Sequence, residues 1–177
     1  MALKSTINKI TIHLSDMDRN YYDTINLTLA QHPSETDLRL MTRVIAFILN
    51  AQPELSFGKG VSDEDEAVIW LVDYSEQINL WVELGQPDEK RLKKACNKAK
   101  KVILYCYTRS NDVWFAQNKN KLSQFSHLSI FKFDYQVMQE LATWVSRSME
   151  FQCSIQDGQL WLTDNDRSLL IETEQLQ

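Results

Sequence analysis

An α/β fold with a mixed sheet is predicted from three features of the 177-residue chain. First, "VILYCY" at 102–107 is an unbroken apolar run of strand length, the pattern of a strand covered on both faces. Second, an alternating strand at 78–84, the turn "GQP" and a helix opened by Asp88 precede it, and a strand, a helix and a buried strand make a right-handed crossover with parallel pairing. Third, the chain begins and ends in period-two segments, which predict an N-terminal and a C-terminal β-hairpin beside that core.

In chain order, residues 3–14 and 24–30 alternate at period two, joined by the long polar loop "SDMDRNYYD". "HPSETDLRLMTRVIAFILNAQP" reads as a helix with Ser34 at the N-cap and Asp37 in the capping-box place. Leu38, Met41, Ile45, Ile48 and Leu49 fall on one face, and Pro53 closes it. Strands follow at 55–57, 66–72 and 78–84, the last two an antiparallel pair through "DYSEQ". A helix over 88–101 aligns Leu92, Ala95, Cys96 and Ala99. Helices at 112–124 and 135–147 then flank a strand at 127–133, and a hairpin at 149–163 turns at "QDGQ". With no repeat, low-complexity segment or linker, the chain is predicted to form a single domain over 1–177.

A net charge of −5 and a pI near 5.2 argue against a general nucleic-acid coat, which needs cations to displace the counterions of phosphates. Locally, however, Lys90, Arg91, Lys93, Lys94, Lys98, Lys100 and Lys101 crowd one helix, and Asp63, Glu64, Asp65 and Glu66 form an acidic run upstream. Cys96, Cys106 and Cys153 are widely spaced inside apolar stretches and lack metal-site spacing, so they read as buried thiols of a reducing compartment. The N-terminus lacks the block pattern of a signal peptide, and no stretch reaches the ~20 apolar residues of a membrane span. A soluble cytoplasmic protein without a membrane partner is expected.

The candidate site follows from strand alternation. In 78–84, Asn79, Trp81 and Glu83 share one face. Glu66 opens the preceding strand on the face of Val68 and Trp70, so antiparallel pairing would bring Glu66 near Glu83. Two close carboxylates repel, and a cation or a basic side chain relieves them. On the helix that follows, Lys93 and Arg91 lie roughly a quarter turn to either flank of the sheet-facing side and Lys94 points nearly away, which favours Lys93 for reaching the acids. His13, His32 and His127 are scattered, with His32 read as fixing the entry to the first helix. No P-loop or dinucleotide glycine motif is present.

The segments "HPSETDLRLMTR", "WVELGQPDEKRLKKAC" and "SIQDGQLWLTD" resemble the YaeQ family over essentially the whole chain. The resemblance implies a variant PD-(D/E)XK nuclease-like fold, an αβββαβ core over about 34–107 around a mixed sheet. It implies Glu35 as the acid of the first core helix, Glu66 or Asp65 as the second acid, and Glu83 as the acid of the third motif. Gly85 stands where the motif lysine belongs and "DEDEA" lacks the PD dipeptide, so Lys93 or Lys94 would supply the ammonium from the following helix. The implied chemistry is phosphodiester hydrolysis. Glu35, Asp65, Glu66 and Glu83 would hold Mg²⁺, with Mn²⁺ as substitute, while the lysine orients the nucleophile and further lysines hold nucleic-acid phosphates. The alternative is a degenerate nuclease fold that binds nucleic acid or protein without catalysis.

Overall fold

The structure is a computed structural model that describes residues 3–60 and 63–177. It is a mixed α/β protein, with four helices and two mixed sheets among the described residues. In chain order come β1 (Thr6–Asp16), β2 (Tyr21–Gln31), α1 (Asp37–Leu49), β3 (Ser56–Phe57), β4 (Ile69–Val72), β5 (Ile78–Leu84), α2 (Glu89–Lys98) and β6 (Ala99–Cys106). These are followed by α3 (Asn111–Leu122), β7 (Leu128–Phe133), α4 (Tyr135–Ala142), β8 (Ser148–Gln156), β9 (Gln159–Asp164), β10 (Arg167–Ile171) and β11 (Thr173–Gln175). The chain divides into two compact units, residues 1–41 with 136–173, and residues 42–135 with 174–177.

The first unit holds the five-stranded sheet β10-β9-β8-β1-β2. The strands alternate, with Ile10, Ile12, Leu14, Phe151, Cys153, Leu160 and Leu162 buried and their neighbours along each strand turned outward. β1 and β2 form a hairpin tighter than the expected loop over 15–23. Asp16 accepts hydrogen bonds from the Arg19 backbone N (3.0 Å) and Nε (2.6 Å), and Asn20 takes a positive φ of 54°, so both strands run almost to the turn. The "QDGQ" turn is as expected: Asp157 and Gly158 both have positive φ, 53° and 74°, the pair a two-residue hairpin of this twist requires. The carboxylate of Asp18 accepts from the backbone N of both residues, at 2.8 Å each.

The helix cap differs from expectation. Ser34 is turned back on His32, its Oγ 2.6 Å from Nδ1, and Thr36 Oγ1 instead accepts from the Arg39 N of the first turn of α1. Glu35 therefore precedes that helix and is not part of it. The role of His32 in entering the helix is as expected: its carbonyl accepts from Glu35 N at 2.8 Å.

The second unit holds the six-stranded sheet β11-β7-β6-β5-β4-β3. The expected crossover is present, with β5 and β6 parallel and α2 between them, and β6–α3–β7 repeats it. Trp81, Leu92, Ala95, Val102, Leu104, Cys106, Leu122 and Ile130 pack into the core beneath α2 and α3. Several boundaries shift. β4 begins at Ile69, not 66. α2 ends at Lys98, so Lys100 and Lys101 belong to β6. α4 stops at Ala142, and β10 and β11 lie beyond the elements expected. The "DYSEQ" turn is held by Asp73, whose carboxylate accepts from Ser75 N and Oγ, Gln77 N and Asn79 Nδ2. These bonds, that of the Ser75 hydroxyl foremost, pull its pKa down to about 2.

All three cysteines are free and buried. Burial pushes the Cys96 thiol up to about 11 and those of Cys106 and Cys153 to about 12. Since the thiolate is the nucleophile, the folded protein should leave all three unmodified by a disulfide reagent at pH 8, whereas unfolded protein should titrate all three. Rapid labelling of any one under native conditions would contradict that burial. The linkage has a sign: the folded pKa values exceed the reference, so this contribution to stability is full below about pH 9 and is lost as pH rises toward 11–12.

Candidate functional site

Glu83 sits near the end of β5 on the face covered by α2 and α3, two residues beyond Trp81, as period two requires. Its side chain is 3% exposed. A carboxylate so deeply buried needs partners, and it has three hydrogen bonds. Trp81 Nε1 donates to Oε1 (2.7 Å), Arg91 Nη2 to the same oxygen (2.7 Å), and Arg91 Nε to Oε2 (3.0 Å). The two arginine bonds form the bidentate fork that the planar guanidinium is built to make.

Arg91 is placed by the cap of its own helix. Asp88 accepts from Arg91 N at 2.7 Å, which sets Arg91 at the third helical position with its side chain running back over the sheet. The rest of the guanidinium is also occupied: Nη2 donates to the carbonyl of Glu66 (3.0 Å) and Nη1 to that of Glu64 (3.3 Å). One side chain thus ties β5, α2 and the loop before β4 together.

The other expected acids are engaged separately. Glu66 shares Arg91 with Glu83 through its backbone carbonyl; its carboxylate accepts from Lys59 N (2.7 Å) and pairs with Lys59 Nζ (3.3 Å). Because β4–β5 pairing begins at Ile69↔Val82, Glu66 lies in the loop and its side chain escapes the strand alternation that would aim it at Glu83. Asp65 is 74% exposed and takes Lys94, with Lys98 at 3.8 Å. The Lys94 hydrogen bond, then the Lys94 and Lys98 charges, holds its carboxyl below the usual range. In the first unit, Glu35 is buried and accepts from Arg39 Nη1 at 2.7 Å.

Lys93, which helical geometry favoured for reaching the acids, is exposed instead. Arg91, on the opposite flank, makes that reach. The Asp88 cap and the fit of a guanidinium to a planar carboxylate were the signals pointing to it. Among the described residues no three His, Cys, Asp or Glu side chains gather closely enough to hold a metal ion. Mg²⁺ requires ~6 oxygens near 2.1 Å. In this arrangement the Glu83 oxygens face a guanidinium and an indole, and those of Asp65 and Glu66 face lysines, so the residues do not fit that ion.

The sequence profile of the YaeQ protein family matches residues 1–173. The chain belongs to the YaeQ family. The uncharacterised protein YaeQ of Escherichia coli (strain K12) is 42% identical over 170 residues, 96% of this chain and 94% of the relative. The YaeQ of Salmonella typhi is 43% identical over 173 residues, 97% and 96% of the two chains. The crystal structure of the YaeQ protein from Xanthomonas axonopodis pv. citri superposes with a TM-score of 0.94 at 38% identity, covering 98% of each chain. That of the YaeQ protein from Pseudomonas syringae gives 0.93 at 28% identity over 98% of this chain and 96% of the other. Among the described residues of this YaeQ chain, no helix is long and apolar enough to cross a membrane.

Proposed function

We propose that this chain is a non-catalytic binding module for nucleic acid, a nuclease-like fold of the PD-(D/E)XK kind whose metal site has been replaced by an internal cation. The order α1, β3, β4, β5, α2, β6 supports that fold. The observation that carries the functional reading is the Arg91 clamp. The guanidinium supplies positive charge against both oxygens of Glu83 and against the Glu64 and Glu66 carbonyls, the oxygen-rich place where hydrolysis would require Mg²⁺. For a metal to act there, Arg91 would have to abandon a buried carboxylate.

Binding would fall to the outer face of α2. Lys90 and Lys93 are exposed, and no ion pair engages either among the described residues; Lys94 and Lys98 beside them are partly neutralised by Asp65. Such a row suits phosphates, which position a strand without reading its bases.

Two measurements test this reading. Calorimetric titration with Mn²⁺ should give no heat of binding up to millimolar metal; binding that disappears in Glu83→Ala would return the Mg²⁺-dependent nuclease or phosphodiesterase, with Lys93 or Lys94 as its ammonium. Anisotropy of a labelled single-stranded oligonucleotide should show salt-sensitive binding. In Lys90→Glu/Lys93→Glu, affinity should fall and the salt slope should decrease by about 1 for each phosphate that the variant no longer neutralises. An unchanged affinity in that variant would remove nucleic acid as the partner.

A further inference from the structure

The sheet of the first unit turns two large aromatic side chains outward, Trp161 at 45% exposure and Tyr22 at 58%. The strand registers set them in one row. Trp161 on β9 lies opposite Ser154 on β8, Ser154 beside Ser15 on β1, and Ser15 opposite Tyr22 on β2. The two aromatic residues therefore stand three strand spacings apart, ~14 Å, with only serines between them. Bulky side chains at both ends and the smallest hydroxyl side chain in the middle give the row the profile of a trough.

The next outward row runs beside it, Thr163, Gln152, His13 and Thr24. A cavity of about 570 Å³ opens where the two rows meet β2, lined by His13, Ser15, Tyr22, Asp23, Thr24 and Gln152 together with Leu14. Every one of these residues belongs to the first unit. His13 is held through both ring nitrogens, with Nε2 2.7 Å from Glu150 Oε1 and Nδ1 3.4 Å from Thr24 Oγ1.

We propose that this trough is a binding site for a neutral oligosaccharide, with Tyr22 and Trp161 as its two stacking platforms. The chemistry of the lining selects that ligand. No lysine or arginine lines the cavity, and the charges at it, Asp23 and the neighbouring Glu150, are carboxylates, so a phosphate or an acid would meet like charge. Hydroxyls, a carboxamide, an imidazole and a carboxylate both donate to and accept from alcohols, and carboxylates take alcohol donors in the stronger, charge-assisted kind of hydrogen bond. The faces of the two rings are apolar and electron-rich, which suits the C–H bonds on the flat side of a sugar. A chain of sugar rings presents hydroxyls along its rim and C–H bonds on its faces, and ~14 Å is about the length of a trisaccharide. The site goes beyond the nucleic-acid reading and does not depend on it, because it uses neither α2 nor the Arg91 clamp.

Calorimetric titration of the full chain with maltotriose, cellotriose and N-acetylchitotriose tests it. At least one should bind saturably, with a dissociation constant on the order of millimolar. Tyr22→Ala and Trp161→Ala should each weaken that binding about tenfold, the value of one stacked ring, while melting as the parent does. Lys90→Glu/Lys93→Glu should bind the sugar like the parent, which separates this site from the face of α2. Absence of binding by all three trisaccharides at about 20 mM overturns the proposal, as does binding that both alanine variants retain in full.

Discussion

Replacing Arg91 by alanine should lower stability by about 3–5 kcal/mol, the cost of leaving a buried carboxylate without its charged partner. Glu83 would keep only the Trp81 indole as donor, and the carbonyls of Glu64 and Glu66 would lose theirs. At ~2–4 °C per kcal/mol for a chain of this size, the melting temperature should fall by roughly 6–20 °C. The loss should be largely electrostatic, so removing the stranded charge should recover part of it: Arg91→Ala combined with Glu83→Gln should melt above Arg91→Ala alone. Chemical denaturation of both variants and the parent separates the terms. If the single substitution costs under about 1 kcal/mol, the value of an exposed ion pair, the clamp does not bear the weight given to it.

Gly58→Ala should be nearly as damaging, by a different route. A Cβ at this position would stand 2.0 Å from the Ala67 carbonyl oxygen and 3.2 Å from its carbon, both backbone atoms that no rotamer change can move. Gly58 N also donates to Val68 O at 3.0 Å, so relief of the clash breaks that bond and pulls β3 from β4. Overpacking of this kind costs about 1–3 kcal/mol, and the upper half of that range is expected where backbone must yield. The 64–66 segment would shift with Ala67, so Arg91 should lose its carbonyl partners as well. Thermal melting gives the size of the effect, and amide exchange at Phe57 and Val68 locates it. A melting temperature within about 1 °C of the parent would mean that the two segments separate freely.

Much of the fold is legible in side-chain pattern because the pattern is what burial selects. "VILYCY" is apolar throughout since β6 is covered on both faces, and the Asp157–Gly158 turn declares itself because few residues accept positive φ. What escapes the sequence is held by backbone. β11 reads "TEQ", with no apolar alternation, and the chain beyond it is fixed by main-chain bonds such as Leu176 N to Ile130 O at 2.7 Å. At the site, period two places Trp81 and Glu83 on one face correctly. Helical periodicity puts Arg91 and Lys93 on opposite flanks of α2 but gives only an azimuth. Which one reaches Glu83 depends on the cap at Asp88 and on the planarity of the guanidinium. Period two misaims Glu66 because β4 begins at Ile69, and alternation says nothing about a side chain in a loop.

The parallel pairing of β1 with β8, Lys9 beside Ser148 through Asp16 beside Ile155, sets the order in which the chain can finish folding. The β1–β2 hairpin leaves the ribosome well before β8, because its neighbour in the sheet is encoded 139 residues later (Lys9 beside Ser148). At ~5–20 residues per second of synthesis, β1 waits for roughly seven to twenty-eight seconds with one edge unpaired. Residues 42–135, all of the second unit but its last four residues, emerge in that interval and can form most of its core first. A strand made before all of residues 42–135 is therefore among the last to be locked, and a nascent chain stalled before residue 148 would present β1 as an open template to any extended segment nearby.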